Sequence, residues 1–187
     1  MMSNPVLRSS YSNMAITLHW LIAVLVIGNI AGALYAEGLE GEARGAIMGL
    51  HKSIGITVLA LTVWRLVLRL RENFVPLPGH MKGWEIVAAR ASHIGFYVLL
   101  LGLPLSGWAF ASTAERPLVW FGLFELPFSP LDKAGRGVFH DVHKVAGILA
   151  LVLVVLHILG ALKHQFLDRD EILGRMLPFL RKNSRDA

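Results

Sequence analysis

The sequence predicts an all-α integral membrane protein, a bundle of four transmembrane helices. Three observations predict it. Of 187 residues, 55% are hydrophobic and only 17% charged, with a mean hydropathy of +0.56, too little charge to cover a water-soluble domain of this size. Four stretches, 14–36, 47–70, 89–111 and 140–162, are long and apolar enough to cross a hydrocarbon core. The charged residues gather in the links between them, where headgroups and water replace lipid.

The first stretch is preceded by a single basic residue, Arg8, and no small-residue cleavage site closes it. It reads as a retained span and not a removed signal. The link that follows is acidic, with Glu37, Glu40 and Glu42 against Arg44. The second stretch ends in Arg65, Arg69 and Arg71. With Lys82 and Arg90 they make the second link basic, and Pro76, Pro78 and Gly79 make it a turn. Pro104 is expected to kink the third span.

The third link, 112–139, is the longest. Its 117–128 part carries Trp120, Phe121, Phe124 and Phe128, is too short to span, and is expected to lie in the interface. The fourth stretch is followed by Lys163, Arg169, Arg175, Arg181, Lys182 and Arg185. Within that tail, 168–180 alternates charge with Ile172, Leu173, Met176 and Leu177, the pattern of an amphipathic helix on the inner surface.

The positive-inside rule puts both termini and the second link in the cytoplasm. The net charge of +5 therefore belongs to helix ends and points to membrane lipid, not nucleic acid. The whole chain, 1–187, reads as one membrane domain. It contains no cysteine, which excludes disulfides, thiolate-bound iron–sulfur clusters and a CxxCH haem attachment.

Histidine is costly in lipid and is usually partnered or functional there. His143 and His157 are fourteen residues apart in one apolar run. Fourteen helical steps turn about 1400° and rise about 21 Å, so both imidazoles project from one helix face at opposite sides of the membrane. Spans two and four open alike, His51-Lys52-Ser53-Ile54-Gly55-Ile56 and His143-Lys144-Val145-Ala146-Gly147-Ile148. The glycine four residues after each histidine shares its face. Gly55 and Gly147 read either as clearance for a flat macrocycle held by the histidine or as small-residue helix contacts.

Sorted by depth, His19 matches His157 at the inner level and His51 matches His143 at the outer level. Two imidazoles on opposite sides of a porphyrin make a six-coordinate, non-covalently held b haem. The histidines thus predict two such haems, with the fourth span serving both. Zinc would want further carboxylate or cysteine ligands in the spans. Copper would want better thioether placement than Met14 or Met48 offer. His93 enters the third span at the inner level and competes with His19. His80 reads as a link residue and His140 as a helix-start residue.

Arg65 lies fourteen residues past His51 on the same face, with Arg69 one turn further. They are candidates for inner haem propionates, or for snorkelling to headgroups. Lys52, Lys144, Lys133 and Arg136 form an outer cationic rim suited to outer propionates or to attracting an anion. His164 lies seven residues past His157. It is a candidate to hydrogen-bond a quinone carbonyl or to pass it a proton, or an ordinary interfacial histidine.

The chain resembles the bacterial cytochrome b561 family. The resemblance rests on Leu18-His19-Trp20, Gly49-Leu50-His51, Trp64-Arg65-Leu66 through Arg69-Leu70, Ser92-His93 with Tyr97, Leu103-Pro104, the His143–His157 spacing and Arg175-Met176-Leu177-Pro178. It implies an inner-membrane protein with four spans, cytoplasmic termini and two bis-histidine b haems. His19, His51, His143 and His157 match the ligands, and His164 matches a position beside the quinone. One activity in the family takes an electron from periplasmic superoxide at the outer haem and delivers it to ubiquinone near the inner haem. The alternative expectation is a haem subunit that serves a partner redox protein without a substrate of its own.

Overall fold

Local signals set the helix limits. The Ser12 hydroxyl accepts a hydrogen bond from the Ala15 N–H at 3.1 Å and starts α1, Asn13–Glu37. At its far end Gly38 returns its N–H to Tyr35, while the Arg44 guanidinium donates to the Ala36 carbonyl at 3.0 Å. Gly41, with φ of +58°, turns the chain into α2, Gly41–Arg71. Glu85 reaches back to the Lys82 N–H at 2.9 Å and opens α3, Gly83–Ala111, which runs unbroken through Pro104. Asp132 accepts from the Gly135 N–H at 2.8 Å and opens α4, Lys133–Lys163. At about 1.5 Å per residue each helix is long enough to cross a bilayer.

The computed structural model describes residues 11–72, 81–113, 116–170 and 172–180. Arg8, the Pro76–Gly79 turn, His80 and the basic residues Arg181, Lys182 and Arg185 lie outside them. Among the described residues four helices are long and apolar enough to span a membrane. Each is longer than the stretch that hydropathy alone marks out. His140, expected at a helix start, stands two turns inside α4.

α1 packs on α2, α2 on α3 and α3 on α4, with alternating direction, so α1 starts and α4 ends at the same end of the bundle. Among the described residues α4 is applied along α3 and stands off from α1 and α2. Few side chains are buried between the helices: Leu18, Ile22, Val58 and Ala109 are among them. Large apolar groups such as Val24, Leu34, Val98 and Leu156 lie exposed. That distribution is unfavourable in water and neutral in hydrocarbon.

Two irregular regions close the ends. The aromatic link takes a regular form. It forms a hairpin of β1, Val119–Trp120, and β2, Phe124–Glu125, paired antiparallel and folded onto α2. Its turn holds Phe121 at φ 47° and Gly122 at φ 74°. The left-handed region is strained for a bulky residue, and Phe121 is kept there by a hydrogen bond from its N–H to the buried Ser53 hydroxyl at 3.0 Å. The Trp120 indole donates to Thr57 at 3.1 Å, and the Trp108 indole to the Pro127 carbonyl at 2.8 Å.

At the other end the expected amphipathic helix over 168–180 does not form. A π-helical turn, His164–Asp168, ends in Arg169 at φ 53°, and 3-10 turns follow at Leu173–Arg175 and Pro178–Leu180. The left-handed residue breaks the helix after α4, and Pro178 supplies no N–H to restart it. The Trp20 indole of α1 ties this tail down through the Met176 carbonyl at 2.8 Å.

Candidate haem sites

The space left between α4 and the α1–α2 pair contains imidazoles at both ends. Ring centroids of His51 and His143 are 6.2 Å apart at the hairpin end, and those of His19 and His157 are also 6.2 Å apart at the terminal end. A bound metal sits about 2 Å from an imidazole nitrogen, and the ring centre about 1.2 Å further, so two imidazoles sharing one iron have centroids about 6.4 Å apart. Both pairs fit an axial-ligand spacing. α4 is continuous between them, so the two pairs are separated along it by about 21 Å.

The pair at the hairpin end is also oriented. His143 Nδ1–H donates to the Leu103 carbonyl at 2.9 Å, and Ser106, which itself donates to that carbonyl at 2.8 Å, stands 3.1 Å from the same nitrogen. His51 Nδ1–H donates to the Asn29 carbonyl at 3.2 Å. A carbonyl only accepts, so it fixes the proton on Nδ1 and leaves Nε2 free for a metal. Gly107 lets this happen: a Cβ there would lie 3.0 Å from His143 Cε1. At Gly55 and Gly147 a Cβ would meet nothing within 4 Å beyond its chain neighbours and the adjoining backbone of its own helix. This removes a tight contact with another helix as the reason for either glycine and leaves open room beside His51 and His143.

At the terminal end three imidazoles gather. His93 stands 6.4 Å from His157, hardly further than His19 does. Phe96 lies edge-on to His157 at 5.1 Å. Arg65 donates to the Ala15 carbonyl at 2.6 Å and hydrogen-bonds Tyr97, which ties α2 to α1 and α3 beside this cluster. Arg69 lies one turn further along α2, near His93.

The cations expected to form the outer rim lie at the hairpin end. Lys52 and Lys144 directly follow the two histidines, and Arg136 lies two turns before His143 on its face. Lys133 and Lys144 are exposed, Lys52 and Arg136 half-buried. Exposed Asp132 and Asp141 interrupt the rim, Asp141 at 3.2 Å from His140.

His164 opens the π turn that follows α4, and its side chain is only 14% exposed. Its Nδ1 lies 2.7 Å from Asp170 and 3.0 Å from Asp168. Lys163 bridges Asp168 at 2.6 Å and Glu85 of α3 at 2.7 Å. Sequence reasoning missed the groups that support the histidines. The Asn29 and Leu103 carbonyls carry no sequence signal. Ser106-Gly107 beside Leu103-Pro104, and Asp168 and Asp170 after His164, were the readable hints.

Over residues 10–179 the chain matches the family model of prokaryotic cytochrome b561. It is 33% identical to cytochrome b561 homolog 2 of Escherichia coli (strain K12) over 177 residues, 89% of this chain and 90% of that protein. It is 28% identical to cytochrome b561 homolog 1 of the same organism, over 90% of this chain and 97% of the relative. It is 26% identical to a protein of Yersinia pestis named probable superoxide oxidase CybB, over 92% and 98% of the two chains. The chain belongs to the prokaryotic cytochrome b561 family, multi-pass proteins of the bacterial inner membrane that bind haem b and carry electrons across it.

Proposed function

We propose that this protein is a superoxide:ubiquinone oxidoreductase, with His51 and His143 as ligands of an outer b haem and His19 and His157 as ligands of an inner one. The observation that carries this reading is the pair of matched 6.2 Å imidazole separations at opposite ends of α4. When bound, haem b supplies one-electron transfer without proton chemistry. The basic residues at the terminal end put that end in the cytoplasm and the hairpin end in the periplasm.

Lys52, Lys133, Lys144 and Arg136 draw the small superoxide anion towards the outer end by long-range attraction. Superoxide gives up one electron and leaves as neutral oxygen, so no protein acid is needed there. Two such electrons reduce one ubiquinone to ubiquinol, which takes up two protons. Arg65 and Arg69 balance negative charge near the inner histidines, and Gly55 and Gly147 leave the ligand planes unobstructed. His164 lies at the inner end to hydrogen-bond the quinone.

The test is rapid mixing of superoxide with the purified oxidised protein. Haem absorption is expected to change at a near-diffusion-limited rate that falls with ionic strength. Adding ubiquinone then restores the oxidised spectrum with ubiquinol formed. No spectral change on mixing overturns the proposal.

A second reading draws on the hairpin, where Leu123 is 73% exposed and Phe124 53% exposed at its tip. Such a patch suits docking of a partner redox protein, for which this chain serves as haem b subunit. Stable purification with a second redox chain supports that reading instead.

A further inference from the structure

We propose that Asp170 and Asp168 together hold His164, through its Nδ1, as the proton donor to the bound quinone, with the proton on Nε2 renewed from the cytoplasmic water. The inference rests on the quinone-reducing reading above and names the proton path that reading requires. Reduction of a quinone carbonyl to a hydroxyl needs a proton for each electron that arrives from the membrane-crossing path. The nitrogen that gives it must be fixed in position and refilled.

The tail fixes it. Asp170 is almost fully buried, with its side chain 5% exposed. One of its oxygens accepts from the Ile172 N–H at 3.0 Å and the other from His164 Nδ1–H at 2.7 Å. The carboxylate is thus clamped by its own turn, and the imidazole is clamped by the carboxylate. Nδ1 keeps its proton throughout, so the exchangeable proton of the ring is the one on Nε2. Asp168 touches the same Nδ1 at 3.0 Å and is 30% exposed, the more open of the two carboxylates. Among the described residues, the other charged groups facing this cluster include Lys163, which bridges Asp168 to Glu85, and Glu85 itself from α3.

The turn that makes this arrangement is specific. The wider π turn and left-handed Arg169 bring residues 168 and 170 back over residue 164, and the Asp170 N–H bonds the His164 carbonyl at 3.1 Å. A regular α-helix would spread them along its axis. The three side chains also fall within the 4.8 Å that a metal ion would accept. The Lys163 ammonium on Asp168 at 2.6 Å already supplies a fixed cation there. Positioning of the imidazole is the reading that uses the two carboxylate contacts to Nδ1.

The chemistry balances as follows: the quinone gains two electrons from the membrane-crossing path and two protons. Each proton leaves His164 Nε2 and is replaced at that same nitrogen from water. Asp170 and Asp168 are positioning residues and exchange nothing.

The experiment uses the haem-loaded protein, reduced with dithionite and mixed with decylubiquinone or with ferricyanide, which accepts electrons without protons. Asp170→Asn is expected to slow reoxidation by the quinone roughly 10- to 100-fold with the half-saturating quinone concentration unchanged. Reoxidation by ferricyanide stays at the wild-type rate. Asp170→Glu recovers most of the loss, and imidazole partly rescues His164→Ala. An impermeant indicator dye follows proton uptake, which slows in step. If Asp170→Asn disturbs the haem spectrum, Asp168→Asn supplies the same comparison. Wild-type quinone kinetics in both aspartate variants, or equal slowing with ferricyanide, overturns the proton path alone. Failure of the wild-type protein to be reoxidised by quinone removes the quinone reading and this path together.

Discussion

The His143 ring lies where a side chain on Gly107 would be, with Cε1 3.0 Å from the position of a Cβ there. The contact joins α3 to α4 at the hairpin end. Together with the Leu103 carbonyl and the Ser106 hydroxyl it fixes one imidazole on three sides.

Gly107→Ala is expected to displace His143 and remove the haem at that end, leaving the other. In an unencumbered helix interior this change would favour folding by about 1 kcal/mol. Here the methyl must move the ring or the helix. A haem-to-chain ratio by pyridine haemochrome near half the wild-type value, at unchanged helicity by circular dichroism, is the expected result.

Gly55→Ala and Gly147→Ala separate the protein's needs from the cofactor's. A methyl at either position meets nothing within 4 Å beyond its chain neighbours and the adjoining backbone of its own helix, so the haem-free chain should tolerate both and gain up to about 1 kcal/mol each from helix propensity. Haem retention should fall. Competition with apomyoglobin for haem measures it, and retention equal to wild type would mean that the open space is not haem clearance.

Alanine replacement of His51 or His143 should abolish the same haem, and replacement of His19 or His157 the other. His93→Ala should keep both haems, with a shifted potential at the terminal end. Redox titration of each variant reads this directly. Loss of a haem in His93→Ala with both retained in His19→Ala would move the ligand from α1 to α3.

Ser53→Ala should loosen the hairpin. The Phe121 N–H would lose its acceptor, and the strained backbone at Phe121 its restraint. An unsatisfied buried donor costs about 1–3 kcal/mol. Faster cleavage between Val119 and Glu125 by an added protease, with haem content unchanged, is the expected outcome.

The histidine ladder was legible in the sequence because helical periodicity converts the His143–His157 interval directly into depth and face. Helix existence followed from apolar length. The supporting contacts were hidden for a different reason. Main-chain carbonyls of Asn29 and Leu103 have no side-chain identity to read, and their use depends on which helices meet. The tail misled because Ile172, Leu173, Met176 and Leu177 do have helical spacing. Left-handed Arg169 and the carboxylate contacts to His164 outweigh that periodicity. Depth alone also could not rank His19 above His93, since both stand at nearly equal distance from His157.

α4 stands off from α1 and α2, and this bears on how the protein is made. The polypeptide holds itself together as a chain of neighbours, first to second, second to third, third to fourth. Among the described residues the ring is closed by the tail tether at Trp20 and by the hairpin's hydrogen bonds to Ser53 and Thr57 of α2, with the imidazoles of α4 facing those of α1 and α2 between them. Cofactor supply then acts as a quality-control step in biogenesis. In cells starved of haem synthesis, the newly inserted chain would remain an open curl exposed to membrane proteases, and its abundance would track the haem pool and not its own transcript.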